Sequence, residues 1–213
     1  MATARRETPR RPYARRIPRE ERREEVLDSA LTLILSEGYA AVTMEAVARG
    51  AGVTKPVVYD LFPNMGELVR ALLEREEEGA LEQLGELLPK MLDEEIDPDE
   101  LMVQAFTAYL QAVSESVDRW KLILLPAEGT PALVREHVET ARRGVARQLE
   151  GIVEWATARR TELEGVDAHL AALAMQAFAE HQARLVLTDP DRYTPERLGQ
   201  FVASLIASFR QSP

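Results

Sequence analysis

Apolar residues recur three and four positions apart through most of the chain, the spacing of helices with one buried face. Val26, Leu27, Ala30, Leu31, Ile34 and Leu35 form the first such series, which Gly38 stops. Glu20, Glu21, Glu24 and Glu25 stand at its start, where carboxylates favour the helix dipole, and Pro18 suits a first helical turn. Thr43 is placed to N-cap a second, short helix through Ala46, Val47 and Ala48; Gly50 to Gly52 supply a turn, and Thr54 caps a third helix with Pro56 inside its first turn. Pro63 and Asn64 close that helix. Another starts near Met65 and carries Leu68, Val69, Leu72 and Leu73, then Leu81, Leu84, Leu87 and Leu88, as far as Leu92. Asp97 and Pro98 open a helix whose broad face is Met102, Ala105, Phe106, Tyr109, Val113 and Val117. A short apolar run from Trp120 to Leu125 ends at Pro126. Pro131 starts a long helix to about Thr161, and Val166 to Leu187 forms an Ala-dense one ended by Asp189 and Pro190. Thr194 and Pro195 open the last, with Leu198, Phe201, Val202, Leu205, Ile206 and Phe209 at helical spacing. No strand alternation and no internal repeat appears, so the fold class is all-α.

The length of 213 residues, 46% of them hydrophobic and 29% charged, suits two domains with a substantial core. Three units are expected: a basic arm over 1–17, a helix-turn-helix head over 18–64, and a larger helical body over 65–213. Charge changes the picture of the first. The net charge is −10, yet residues 1–19 hold seven Arg and one Glu, so the remaining 194 residues carry −16. Residues 1–17, with Pro9, Pro12 and arginine pairs ending at Arg15 and Arg16, have no apolar period and are expected to be disordered alone. Such an arm suits phosphates or a minor groove; a solvated extension is the plain alternative. No apolar run approaches the ~20 residues that span a bilayer, no h-region follows the N-terminal arginines, and a cytoplasmic location without membrane partners is the default.

Helix, short Gly-bearing turn, helix is the pattern of a DNA-reading helix-turn-helix. The residues that carry it are T-x-x-A-V-A from Thr43, A-G-V-T-K-P across the turn, V-V-Y-D-L-F from Val57, and P-N-M-G-E-L from Pro63. In combination they resemble the TetR (tetracycline-repressor-like) family of bacterial transcription regulators, over about 50 residues from the first helix to the start of the fourth. The resemblance implies a three-helix head, a linking fourth helix, and a divergent helical body that dimerises and usually binds a small effector. Looser likenesses in the body are W-K-L-I-L-L-P from Trp120, the G-T-P turn at Gly129 and D-R-Y-T-P-E-R-L from Asp191.

The matched positions have roles in physical terms. Thr43 and Thr54, at helix starts, have hydroxyls and nearby free N–H groups suited to phosphates, and both also serve as caps. Lys55, Pro56 and Val57 occupy the start of the recognition helix; Lys55 is a candidate donor to guanine, and Pro56 or Val57 a neighbour for a thymine methyl. Tyr59 resembles the family's phosphate-contacting tyrosine. Val47, Val53, Val58 and Phe62 read as head core. Met65 stands where many relatives have a phosphate-binding lysine and Leu61 where a polar residue is common, so the backbone grip is expected to be reduced there, with the arginine arm compensating.

The histidines, His137, His169 and His181, have Val134, Val166 and Phe178 three residues before them, so the Glu-x-x-His of a carboxylate-bridged metal bundle is missing. With zero Cys and no nucleophile elbow, Walker loop or dinucleotide fingerprint, neither an enzyme nor a cofactor is expected. An effector pocket is the better expectation, with Met102, Phe106, Tyr109, Trp120, Met175, Phe178 and His181 as bulky or polar-tipped candidates. A dimer interface is expected on the last two helices, from Ala174 and Ala177 and from Leu198, Phe201, Val202, Leu205 and Phe209. The reading is a homodimeric regulator, most simply a repressor, released from a palindromic double-stranded DNA operator by a small hydrophobic effector. The alternative is a helical ligand-binding or scaffold protein that no longer reads DNA.

Overall fold

A computed structural model describes residues 17–85, 97–125, 129–159 and 165–210, which leaves the arginine arm with Arg15 and Arg16, and the Leu87 to Leu92 run, outside the described residues. The described elements are α1 (Arg19–Glu37), α2 (Met44–Gly50), α3 (Lys55–Leu61), α4 (Met65–Gly85), α5 (Pro98–Glu115), α6 (Val117–Leu124), α7 (Ala132–Thr157), α8 (Ala168–Thr188) and α9 (Pro195–Arg210). Among them there is no strand, and the one other element is a 3-10 turn at Tyr39–Ala41.

The boundaries follow local chemistry. Gly38, at φ 78°, turns the chain out of α1 in a conformation a side chain would strain, while its N–H returns to Ile34 O at 3.0 Å. Thr43 Oγ1 accepts from Ala46 N at 3.1 Å, Asp97 Oδ1 from Asp99 N at 2.8 Å, and Asp167 Oδ1 from Leu170 N at 3.0 Å, each satisfying a first-turn donor. Asn64 Oδ1 accepts from Glu67 N at 2.9 Å and starts α4 in the same way.

Two apolar clusters fill the molecule. The first joins α1, α2 and α3 around Val26, Leu27, Ile34, Val47, Val58 and Phe62. It does not stop at residue 64: Leu68, Val69, Leu72 and Leu73 of α4 belong to it, and so do Leu122 of α6 and Val134 of α7. The second lies among α5, α6, α8 and α9, around Leu110, Val113, Trp120, Leu124, Val186 and Leu198, and takes in Ala80 from the far half of α4. One helix therefore contributes to both cores, its first turns to the head and its later turns to the body.

α5 and α9 approach closely where a Cβ on Gly199 would overlap Thr107 Oγ1, a hydroxyl already committed to Val103 O at 2.8 Å. Gly199→Ala gains up to about 1 kcal/mol of helix propensity but overpacks this contact by about 1–3 kcal/mol. The expected outcome is a net loss of stability, read as a lowered midpoint in thermal unfolding.

Candidate nucleic-acid interface

The start of α3 and the turn before it form an exposed edge of the head. Thr43, Thr54, Lys55 and Pro56 are exposed, Val57 is half-buried, and Tyr59 presents 47% of its surface. Thr54 differs from the sequence expectation. Its backbone carbonyl accepts from Val57 and Val58 N, but its hydroxyl makes no capping hydrogen bond, so that hydroxyl is uncommitted at the positive end of α3. Thr43 is a cap in fact. Val47, Val58 and Phe62 are buried and Val53 packs against them, as the alternation of inward and outward positions on α2 and α3 requires.

Leu61 and Met65 pack against the head core as partly buried residues. Polar atoms there would cost desolvation, which gives their apolar identity a reason in the packing of the head.

Three contacts that sequence reading missed hold α2 and α3 against α1. Arg19 Nη2 donates to Asp60 O at 2.9 Å, satisfying a carbonyl at the C-terminal end of α3, and the Arg23 guanidinium lies 5.1 Å from the Phe62 ring centroid. Ser29 Oγ, buried, donates to Val47 O at 3.0 Å, and a Cβ on Gly50 would overlap that hydroxyl, so Gly50 lets α1 and α2 close. Burial in the same head pushes the Tyr39 phenol up to about 12, leaving it neutral and available as a core side chain.

The effector candidates divide. Phe106 and Phe178 stack with ring centroids 5.6 Å apart, and Tyr109 meets Trp120 edge-on at 5.3 Å. Burial pushes the Tyr109 phenol up, so it stays protonated. Trp120 is 5% exposed and its Nε1 is buried with no acceptor among the described residues. Met175 is half-buried, and Met102 is exposed at the rim of α5. His181, the polar-tipped candidate, is exposed on α8, on one face with Ala174 and Ala177, because Glu180 and Ala183 take the inward positions. An open volume of about 700 Å³ lies elsewhere, as a groove bordered by α1, α4 and α6 with Glu24, Asp28, Arg75, Glu76 and Arg119 on its walls.

The buried Glu180 is neutralised where α7 meets α8. It accepts from Arg142 Nε at 2.8 Å, from Arg184 Nη2 at 2.9 Å and from Gln176 Nε2 at 3.1 Å. Burial pushes this carboxyl up, and the two guanidiniums outweigh it, holding the group below its ordinary range. The outward face of α8 is left with Leu170 at 61% and Leu173 at 43% exposure, beside Ala174 and Ala177. On α9, Phe201 and Leu205 are exposed at 51% and 38%, whereas Leu198 and Val202 are buried at 7% and 6% inside the protomer. The expected seven-residue dimer face is therefore corrected: Leu198 and Val202 are on the inward flank of the α9 apolar stripe, whereas Phe201 and Leu205 are on its exposed flank. The Phe209 side chain lies outside the described residues.

Residues 26–72 match the model of the bacterial regulatory proteins of the tetR family. The chain is 26% identical over 174 residues to the HTH-type transcriptional activator FasR of Mycolicibacterium smegmatis, covering 82% of this chain and 76% of FasR. Its fold is that of a TetR-like transcriptional regulator from Rhodococcus sp. RHA1, at a TM-score of 0.70 and 22% identity over 92% of this chain and 100% of that one. It is also that of the transcriptional regulator FadR from Bacillus subtilis, solved in complex with stearoyl-CoA, at a TM-score of 0.68 and 16% identity over 85% and 96% of the two chains. Among the described residues no helix is long and apolar enough to cross a membrane. The head core, the exposed α3 edge and the matched residues 26–72 agree, and this segment is similar to the corresponding part of the bacterial regulatory proteins of the tetR family.

Proposed function

We propose that this chain is a sequence-specific, DNA-binding transcription regulator that works as a homodimer, and that it represses by occupying a palindromic operator from which a small effector releases it. The observation that carries the reading is the start of α3: Thr54, Lys55 and Pro56 are exposed together on a helix whose other side is locked into a core, the arrangement that places a helix start in a major groove. The outward faces of α8 and α9 supply the second copy's docking surface, and a two-fold pair of heads suits half-sites one helical turn apart.

The effector is assigned to an amphiphile with an apolar chain. Phe106, Tyr109, Trp120 and Phe178 offer aromatic walls, and the unpartnered indole N–H of Trp120 offers one donor to a carbonyl or carboxylate oxygen. The stearoyl-CoA in FadR is of this chemical kind. Effector binding would favour a body conformation in which the two heads no longer match the half-site spacing, and DNA leaves by population shift.

Two substitutions test the assignment of α3. Lys55→Ala is expected to cost about 1–3 kcal/mol on the preferred duplex and to flatten preference at one base pair. Thr54→Val is expected to weaken all duplexes alike by a few-fold, because a phosphate contact carries no sequence information. Titrations on a panel of single-base operator variants separate the two; uniform weakening by Lys55→Ala, with a salt slope reduced by about 1, would move Lys55 to the phosphates.

A further inference from the structure

The 700 Å³ groove at the joint of head and body contains a chain of charges that spans three helices. Glu76 of α4 is 4% exposed, and both of its oxygens are held: Oε1 accepts from Arg75 Nε at 2.8 Å and Oε2 from Arg119 Nε of α6 at 3.0 Å. The Arg75 fork continues into the head, where Nη1 donates to Glu24 Oε2 at 2.9 Å and to Asp28 Oδ1 at 2.8 Å, both on α1. Gly79 makes room for the crossing from α6, since a Cβ there would stand 2.5 Å from Arg119 Nη2.

We propose that Arg119 is a positioning residue for the DNA-binding head, acting through Glu76 and Arg75 to fix the angle at which α1 sits on the body. The proposal rests on the reading that the head binds DNA. A buried carboxylate must keep its oxygens paired. With Arg119 holding Oε2, Arg75 serves only Oε1, through Nε at 2.8 Å and Nη2 at 2.6 Å, and Nη1 stays with Glu24 and Asp28. Without Arg119, Arg75 is drawn onto Glu76 and its grip on α1 loosens. Glu76 and Asp28 then have Arg75 alone, Glu24 keeps beside it only a loose pair with Arg23 at 3.8 Å, and the excess of negative charge opens the groove further. The apolar contacts at the same joint, made by Leu122 and Val134, hold head to body without preferring one angle, whereas guanidinium forks are directional. A shift of α6 in the body is thereby reported to α1 of the head.

The chain has zero Cys, so two introduced cysteines, Glu45→Cys on α2 and Gln148→Cys on α7, place spin labels on head and body of the full-length protein, with labelled chains diluted into unlabelled ones. The unmodified network is expected to give one narrow distance distribution. Arg119→Met is expected to broaden it or split it, and to weaken binding to the preferred duplex about tenfold while binding to random duplex is unchanged. Arg119→Lys, which keeps a charge, is expected to recover most of the narrow distribution. Gly79→Ala guards against loss of fold: it removes no charge and favours the helix, yet it pushes Arg119 aside, and it is expected to broaden the distribution without lowering the unfolding midpoint. Narrow distributions in both folded variants, with affinity for the preferred duplex retained, would overturn the proposal. Should the unmodified protein prefer no duplex over random sequence, the DNA reading fails, and the distance distributions still decide whether Arg119 sets the head.

Discussion

Phe201→Glu combined with Leu205→Glu is expected to convert a dimer into a monomer and to lower operator affinity by about a thousandfold. Both side chains are exposed in the protomer, at 51% and 38%, so the substitutions disturb no core contact and helix content should be retained. In the proposed two-fold pair each would be buried on both copies, and Leu170 and Leu173 of α8, also exposed in the protomer, would complete the apolar area of the interface. Burying one such side chain fully contributes about 1.5–3 kcal/mol, so losing two from each copy removes most of the surplus that holds a typical dimer together. Four new carboxylates facing one another add repulsion. A monomer presents one head, and the gain from tethering the second half-site contact is lost. Sedimentation and operator titration in parallel check this; a double variant that stays dimeric with its affinity intact would place the interface on another face. By contrast Leu198→Ala and Val202→Ala are expected to act through stability of the protomer, since both residues are buried within it.

The second large effect concerns where the head ends. Leu72→Ala is expected to destabilise the head by about 2–5 kcal/mol, a large share of the total stability of a small domain. Leu72 and Leu68 are both fully buried, and they lie in the same apolar cluster as Leu27, Ile34 and Val58. We infer that the folding unit of the head extends through about residue 73 of α4. A fragment ending at residue 64 lacks the five members that α4 gives the cluster, Leu68, Val69, Ala71, Leu72 and Leu73, and should remain unfolded by circular dichroism. One that continues through α4 should gain helix cooperatively. Equal folding of the two fragments would restore the earlier boundary.

Most of the helices were legible because their signals are local. Thr43 as a cap, the turn at Gly50 to Gly52, Asp97 with Pro98 and the stop at Asp189 depend on neighbours within four residues, and the structure has helix ends at each of them. The break between α5 and α6 was not legible as such: Ser116, at φ −124° and ψ 55°, ends one helix and begins the next without Gly or Pro to mark it. Facing was legible where the amphipathic pattern is sharp and failed where both sides of a helix carry apolar residues. On α9 one broad stripe contains inward Leu198 and Val202 and outward Phe201 and Leu205, and spacing alone does not say which flank of it meets α5. On α8 the alanines suit either side, and His181 falls outward because a charged residue, Glu180, is neutralised inward by Arg142 and Arg184.

Long-range polar pairs were invisible for a different reason. Arg119 meets Glu76 at a separation of 43 residues, Arg75 meets Glu24 at 51, and Arg19 meets Asp60 at 41. In the sequence these residues are indistinguishable from the many solvated Arg and Glu of a chain that is 29% charged. The functional reading of α3 needed less, because helix caps, turn and core positions together leave few outward residues to meet DNA.

The most direct test is selection of bound fragments from a genomic DNA library by the full-length protein at ~0.15 M salt, where sequence-blind electrostatic binding is weak. The account predicts enrichment of one palindromic motif with half-sites about one helical turn apart, bound by a dimer. Recovery of fragments without a shared motif, held by binding that only falls as salt rises, would contradict it.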